Sequence, residues 1–181
     1  PPTNVLATLY LLSLNLRGTE RELPFLSPEK REAATAALAA AGLQPEDYIN
    51  NTGPGPSLEE RAKSFAAKMK VLAGVLSPQE LEEYRLLNSD TANALRGELS
   101  YFNPTPEEFK LLLDARDASG MMLSYSTRED RKAALEQARK LLSEDRVKEF
   151  ERTTDRFYTL ARSAAKYAEL PVERAEQAWQ I

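Results

Sequence analysis

Proline and helix-capping residues divide this chain at short intervals, and they leave room for little except helices. All eleven prolines stand at helix starts or in loops. None lies inside a periodic run, where the missing N–H and the ring would break a helix. Ser57 with Glu60, Ser77 with Glu80 and Thr105 with Glu108 each match the capping box, in which two side chains satisfy free backbone N–H groups reciprocally. Pro78 and Pro106 follow two of these caps at the first helical position, where a fixed φ helps. Between the caps lie 27 Leu and 25 Ala against only seven Val and Ile, so helix formers fill the intervals and strand formers are scarce.

The pattern predicts helices over about 3–16, 28–41, 58–76, 78–102, 106–119, 127–142, 144–168 and 171–181, with a short turn after Gln44-Pro45 and a loop at NNTGPGP. Gly42 is expected in the left-handed position that stops the second helix. Leu58, Ala62, Phe65, Met69, Leu72 and Leu76 form one narrow apolar stripe suited to helix packing. Leu76-Ser77 followed by Tyr84 and Arg96 can be laid over Leu142-Ser143 followed by Phe150 and Arg162, 66 residues on. Leu26-Ser27-Pro28-Glu29 resembles a third, shorter copy. The expected architecture is all-α, a single-domain bundle of roughly six to eight helices built from helical hairpins. Residues 1–50 would supply N-terminal helices, 51–57 a loop, and 58–181 the main part, with an internal repeat 58–102 and 124–168. The repeat could equally be good capping chemistry reused independently.

The chain has no cysteine and no histidine. That removes disulfides, thiolate nucleophiles, imidazole ligands and the conventional Ser-His-Asp triad. No phosphate loop, GxGxxG or GxSxG is present. A formal net charge of −4 gives no general attraction to nucleic acid or anionic lipid. No cofactor, no metal and no nucleic-acid partner are expected. The chain opens Pro1-Pro2-Thr3 without an initiator Met, which leads to the expectation that an upstream segment has been removed, whether a signal peptide, a membrane anchor or a dispensable region. Membrane association is expected only through such an anchor. The apolar run VLATLYLLSLNL could be a core helix, a short strand, or an arm inserted into a partner subunit.

LSPQELEEYRLLNSDTANALRGEL, FNPTPEEFKLLLDARD and LLSEDRVKEFERTTDRFYTLARSAAKYAELP resemble a group of uncharacterised bacterial helical proteins that carry N-terminal signals or anchors. The likeness covers roughly residues 58–181. It implies an exported location, periplasm or cell envelope, and implies no activity. More distantly, the Leu76-Ser77-Pro78-Gln79 and Leu142-Ser143-Glu144-Asp145 segments are similar to the LTxxQ helix starts of periplasmic chaperones and stress sensors of the Spy and CpxP type. Glu80 and Arg146 stand where that pattern has Gln.

Three constellations invite a functional reading. Asp114 and Asp117, with Glu107-Glu108 at the helix start, could act as acid and base or hold a divalent cation. The structural account is simpler, with first-turn acids offsetting the helix dipole and the aspartates bracketing Arg116 on a solvated face. Lys148, Arg152 and Arg156, with Arg162 and Lys166 beyond, make a basic stripe interleaved with acids that can pair within the helix. Tyr84, Tyr101, Phe102, Phe109, Phe150, Phe157, Tyr158 and Tyr167 suit core packing, or a groove where aromatic and Arg residues receive a polypeptide. Tyr84, Arg96, Phe150 and Arg162 are the candidate binding residues because they recur at the repeat offset. Gly74 and Gly97 hint at close helix–helix approach. These features lead to an expected non-catalytic protein that binds another polypeptide or a second copy of itself, as a chaperone-like cradle or a sensor domain. The rivals are a carboxylate-dependent hydrolase of cell-envelope glycans and a purely structural envelope component.

Overall fold

The structure, a computed structural model, describes residues 22–43, 55–119 and 128–179. The expected helix over 3–16, the turn at Gln44-Pro45 and most of the NNTGPGP loop lie outside the described residues. Within them the chain is all-α, 78% helical and without strands. Nine helices follow one another: α1 Pro28–Ala40, α2 Leu58–Leu72, α3 Pro78–Asn88, α4 Asp90–Glu98, α5 Pro106–Ser119, α6 Arg128–Leu141, α7 Glu144–Thr154, α8 Arg156–Tyr167 and α9 Val172–Trp179. The chain divides into two compact units, residues 1–93 and 94–181, where sequence patterning predicts one domain. The division falls within α4.

Among the described residues nine helices stand where the pattern predicts seven, because two long ones break. The run predicted over 78–102 stops at Ser89, which is extended (φ −67°, ψ 143°). Ser89 Oγ then accepts from the Ala92 N–H at 3.1 Å and starts α4. The run predicted over 144–168 stops in the same way at Asp155 (φ −68°, ψ 133°), whose carboxylate accepts from the Phe157 and Tyr158 N–H groups. One residue therefore ends one helix and caps the next. α3 and α7 are both eleven residues long and both follow a Leu-Ser pair.

Local chemistry sets the other ends. The capping boxes at Ser57/Glu60 and Ser77/Glu80 are formed. At α5 the Thr105 N–H donates to Glu108 Oε2 at 2.9 Å while the Glu108 N–H donates to Thr105 Oγ1 at 3.2 Å. Gly42 takes φ +71°; its N–H bonds Ala39 O and the Leu43 N–H bonds Leu38 O, closing a Schellman motif. α8 ends identically, with Glu169 at φ +55° and the Leu170 N–H on Ala165 O. Neither Gly74 nor Gly97 marks a close helix approach. A Cβ on Gly97 would meet nothing within 4 Å, and one on Gly74 only the Val71 carbonyl at 3.4 Å.

In unit 1, α1 packs on α2 and α2 on α3. Leu23, Leu26, Ala34, Leu38, Leu72, Leu76 and Tyr84 form the core, with Phe65 and Met69 of the predicted stripe packed against it. Burying each of the Leu side chains stabilises the unit by roughly 1.5–3 kcal/mol. Inside this core Lys68, 3% exposed, donates to Glu22 Oε1 at 3.0 Å. The Tyr84 hydroxyl reaches the other Glu22 oxygen at 3.2 Å. In unit 2, α5 to α9 pack in sequence, each on the next. Phe102, Phe109, Leu112, Leu113, Phe150 and Tyr158 are buried there.

Candidate functional site

The capping glutamates do more than cap. Glu80, at the third position of α3, also accepts two bonds from Lys30 Nζ, at 2.7 and 2.5 Å, the third residue of α1. Lys30 together with the Ser77 N–H holds the Glu80 carboxyl down at about 2. Glu108, third in α5, is likewise met by Arg146, third in α7, at 2.8 and 2.7 Å. The Arg146 guanidinium keeps Glu108 below the usual carboxylate range, while partial burial pushes the other way. Arg146 also pairs with Glu149 and lies 4.0 Å from the Phe102 ring centre; Ser143 makes no side-chain cap bond. Each unit thus joins two helix starts through one acid–base clasp, with the signs exchanged between units.

Two of the carboxylates singled out from the sequence, Asp114 and Glu108, are occupied structurally. Asp114 pairs with Lys110 at 2.7 Å on the surface, and Glu108 serves the clasp. Arg116, far from being solvated between Asp114 and Asp117, is 2% exposed and forks onto Glu98 at 2.8 and 3.1 Å. Among the described residues no cluster of three or more acids could hold a metal ion.

The four candidate binding residues meet different surroundings. Tyr84 and Phe150 are 1% and 2% exposed: Tyr84 stacks on Phe65 at 5.8 Å and Phe150 meets Phe102 edge-on at 5.5 Å. Both rings face the core of their own unit rather than solvent. Arg96 lies over the Phe109 ring at 5.5 Å. Arg162 lies over Tyr101 at 5.1 Å and donates to the Tyr158 hydroxyl at 3.2 Å. Within unit 2, Arg96, Phe150 and Arg162 therefore each take a different aromatic partner.

The predicted basic stripe is split by the break at Asp155. Lys148 pairs with Glu144 at 2.9 Å, within its helix as expected. Arg152 instead reaches Glu176 on α9 at 3.0 Å and lies over Tyr158 at 5.3 Å. Asp145, Lys148, Glu149, Arg152 and Trp179 line an open cavity of about 320 Å³. Its charges are matched by these neighbours, although Arg152 Nε is buried without a hydrogen-bond partner.

The surface feature that sequence reasoning missed is on α8. Phe157 is 75% exposed, Leu160 57% and Tyr167 94%, with Ala164 exposed between them. At 3.6 residues per turn these four fall within an arc of about 80°. Tyr158 and Ala165 on another face of the same helix are buried, against α7 and α9 packing. Leu170 and Val172, also exposed, follow directly. Apolar side chains scattered singly on a surface are ordinary, but an aligned row of large ones is an interaction feature. Spacing in sequence could have suggested it: α8 holds two apolar faces, and one neighbouring layer covers only one. Comparison with protein-family models, curated proteins and solved structures finds no match to this chain.

Proposed function

We propose that this protein is a non-catalytic polypeptide-binding protein whose contact surface is the outward face of α8. The observation that carries this reading is the exposed row Phe157, Leu160 and Tyr167 on a helix already anchored by its other face. Aromatic side chains give large contact area for little lost rotamer freedom, as docking sites need. A non-enzymatic role draws support from the carboxylates, since Glu80, Glu98 and Glu108 are engaged in caps and ion pairs. The family likeness adds export to the cell envelope to this proposal. Duplication of a helical hairpin belongs to it too, supported by the equal lengths of α3 and α7 and by the extended residue that ends each.

The test is suppression of aggregation of a chemically denatured client by the full chain. Wild type should suppress it, and Phe157→Ser/Leu160→Ser/Tyr167→Ser should lose most of that effect with unchanged circular dichroism and Tm. Equal suppression by both would refute the assignment of the surface. Hydrolysis of peptidoglycan by the wild type would refute the non-catalytic reading.

A further inference from the structure

Resting on that reading of α8, we infer that without a client this face is covered by a second copy of the chain, α8 against α8 in antiparallel, so that self-association and client binding exclude each other. The exposed row is self-complementary. Phe157, Leu160, Ala164 and Tyr167 are spaced three, four and three, the seam of two paired helices. Reversed, the spacing is the same, so a two-fold axis sets Phe157 on Tyr167 of the second copy and Leu160 on its Ala164. Each Leu of the middle pair thereby faces a small residue. The ends match as well. Arg156 stands just before the row and Glu169 just after it, both exposed, and neither makes an ion pair within the described residues. Asp155 keeps its carboxylate on the Phe157 and Tyr158 N–H groups, at 2.8 and 3.1 Å, and leaves Arg156 unpaired. The antiparallel pairing brings each Arg156 to the C-terminal end of the other α8, where the negative end of the helix dipole and Glu169 stand.

A parallel pairing is the poorer arrangement, because it sets Arg156 against Arg156 and aligns the two helix dipoles. A partner of uniform charge, whether an acidic peptide, a basic one or an anionic bilayer, meets a like charge at one end of the row. The area fixes the strength of the contact. At their exposures, Phe157, Leu160 and Tyr167 offer roughly 450 Å² per copy, and with the rim about 1,000 Å² for both copies together, the low end of specific interfaces. Such a contact forms and opens with concentration. Reversibility is what a client-binding face requires, since a permanent dimer would never expose it.

Sedimentation velocity of the full chain should show monomer at about 5 μM and a rising share of dimer towards about 500 μM. Leu160→Glu should abolish the dimer. Arg156→Glu and Glu169→Arg should each weaken it about fivefold or more, and the two together should recover it to within about twofold. The chain has no cysteine, so disulfide trapping reports the pairing directly. A mixture of Phe157→Cys and Tyr167→Cys should oxidise to the mixed dimer. Either variant alone should not, its thiols standing about 15 Å apart along the antiparallel pair. The trapped dimer should lose suppression of a cysteine-free client and regain it on reduction. Four results overturn the inference: a chain that is monomeric throughout, charge reversals that do not compensate, trapping by either variant alone as readily as by the mixture, or full suppression by the trapped dimer. If the chain stays monomeric while the denatured client is still held through Phe157, Leu160 and Tyr167, the polypeptide-binding reading stands and this one fails. If the triple Ser variant both dimerises and suppresses aggregation as wild type does, both fail.

Discussion

Breaking the Arg116–Glu98 pair should be the most damaging single polar substitution in unit 2. Arg116 is a fully charged group at 2% side-chain exposure, and Glu98 sits at 14%. Two parallel bonds at 2.8 and 3.1 Å hold them, a fork geometry that Lys cannot reproduce. Removing one partner of a buried pair deprives the other charge, held away from bulk water, of its counter-ion, which costs about 3–5 kcal/mol. Glu98→Gln keeps the volume and removes only the charge, so its cost should lie toward the lower end. For a unit of this size about 3 kcal/mol corresponds to a Tm fall of roughly 12 °C or more. The double variant Arg116→Met/Glu98→Leu removes both charges together. It should recover most of the loss, because apolar replacement of a buried pair is often nearly neutral. Urea unfolding followed at 222 nm for wild type, both single variants and the double variant closes the cycle. Additive losses, with the double variant the least stable of the four, would refute the reasoning.

Phe150→Ala should lower stability by about 3–5 kcal/mol through the cavity it leaves without changing client affinity measured well below its Tm; a specific loss of binding would restore Phe150 as a contact. Gly97→Ala should raise stability by about 0.5–1 kcal/mol, since the added Cβ meets nothing within 4 Å and Ala is the better helix former; a lower Tm would show that the helix surface there is not open. The Glu80 carboxyl is depressed from 4.5 to about 2, so it favours the folded state while ionised. Its contribution is full above about pH 5 and shrinks as pH falls from 4.5 towards 2. The Tm difference between wild type and Glu80→Gln should therefore be constant above pH 5 and close below it. A pH-independent difference would contradict the clasp.

What the sequence made legible was local. Ser57/Glu60, Ser77/Glu80 and Thr105/Glu108 act within four residues, and Gly42 needs only its own φ, so their patterns name their structures. The breaks at Ser89 and Asp155 were harder. A single extended residue barely disturbs apolar periodicity, although Asn88-Ser89-Asp90 and Thr154-Asp155 are cap-forming residues that could have marked them. Burial of Arg116 was hidden because Asp114 and Asp117 are its sequence neighbours while Glu98, its partner, lies on another helix. The interior positions of Tyr84 and Phe150 were hidden for a related reason. Recurrence of Tyr84 and Phe150 at one offset reports a shared place in a core as readily as a shared surface. Phe157, Leu160 and Tyr167 were visible as apolar, but which face of α8 its neighbours cover is a tertiary fact.

Photo-crosslinking tests the central claim most directly. Benzoyl-phenylalanine placed at Leu160, in the exposed row, should crosslink a denatured client in high yield. The same group at Lys63, whose side chain is 74% exposed on α2, should give little product. Equal yields from the two positions, or capture from Lys63 alone, would contradict the assignment of the polypeptide-binding surface to α8.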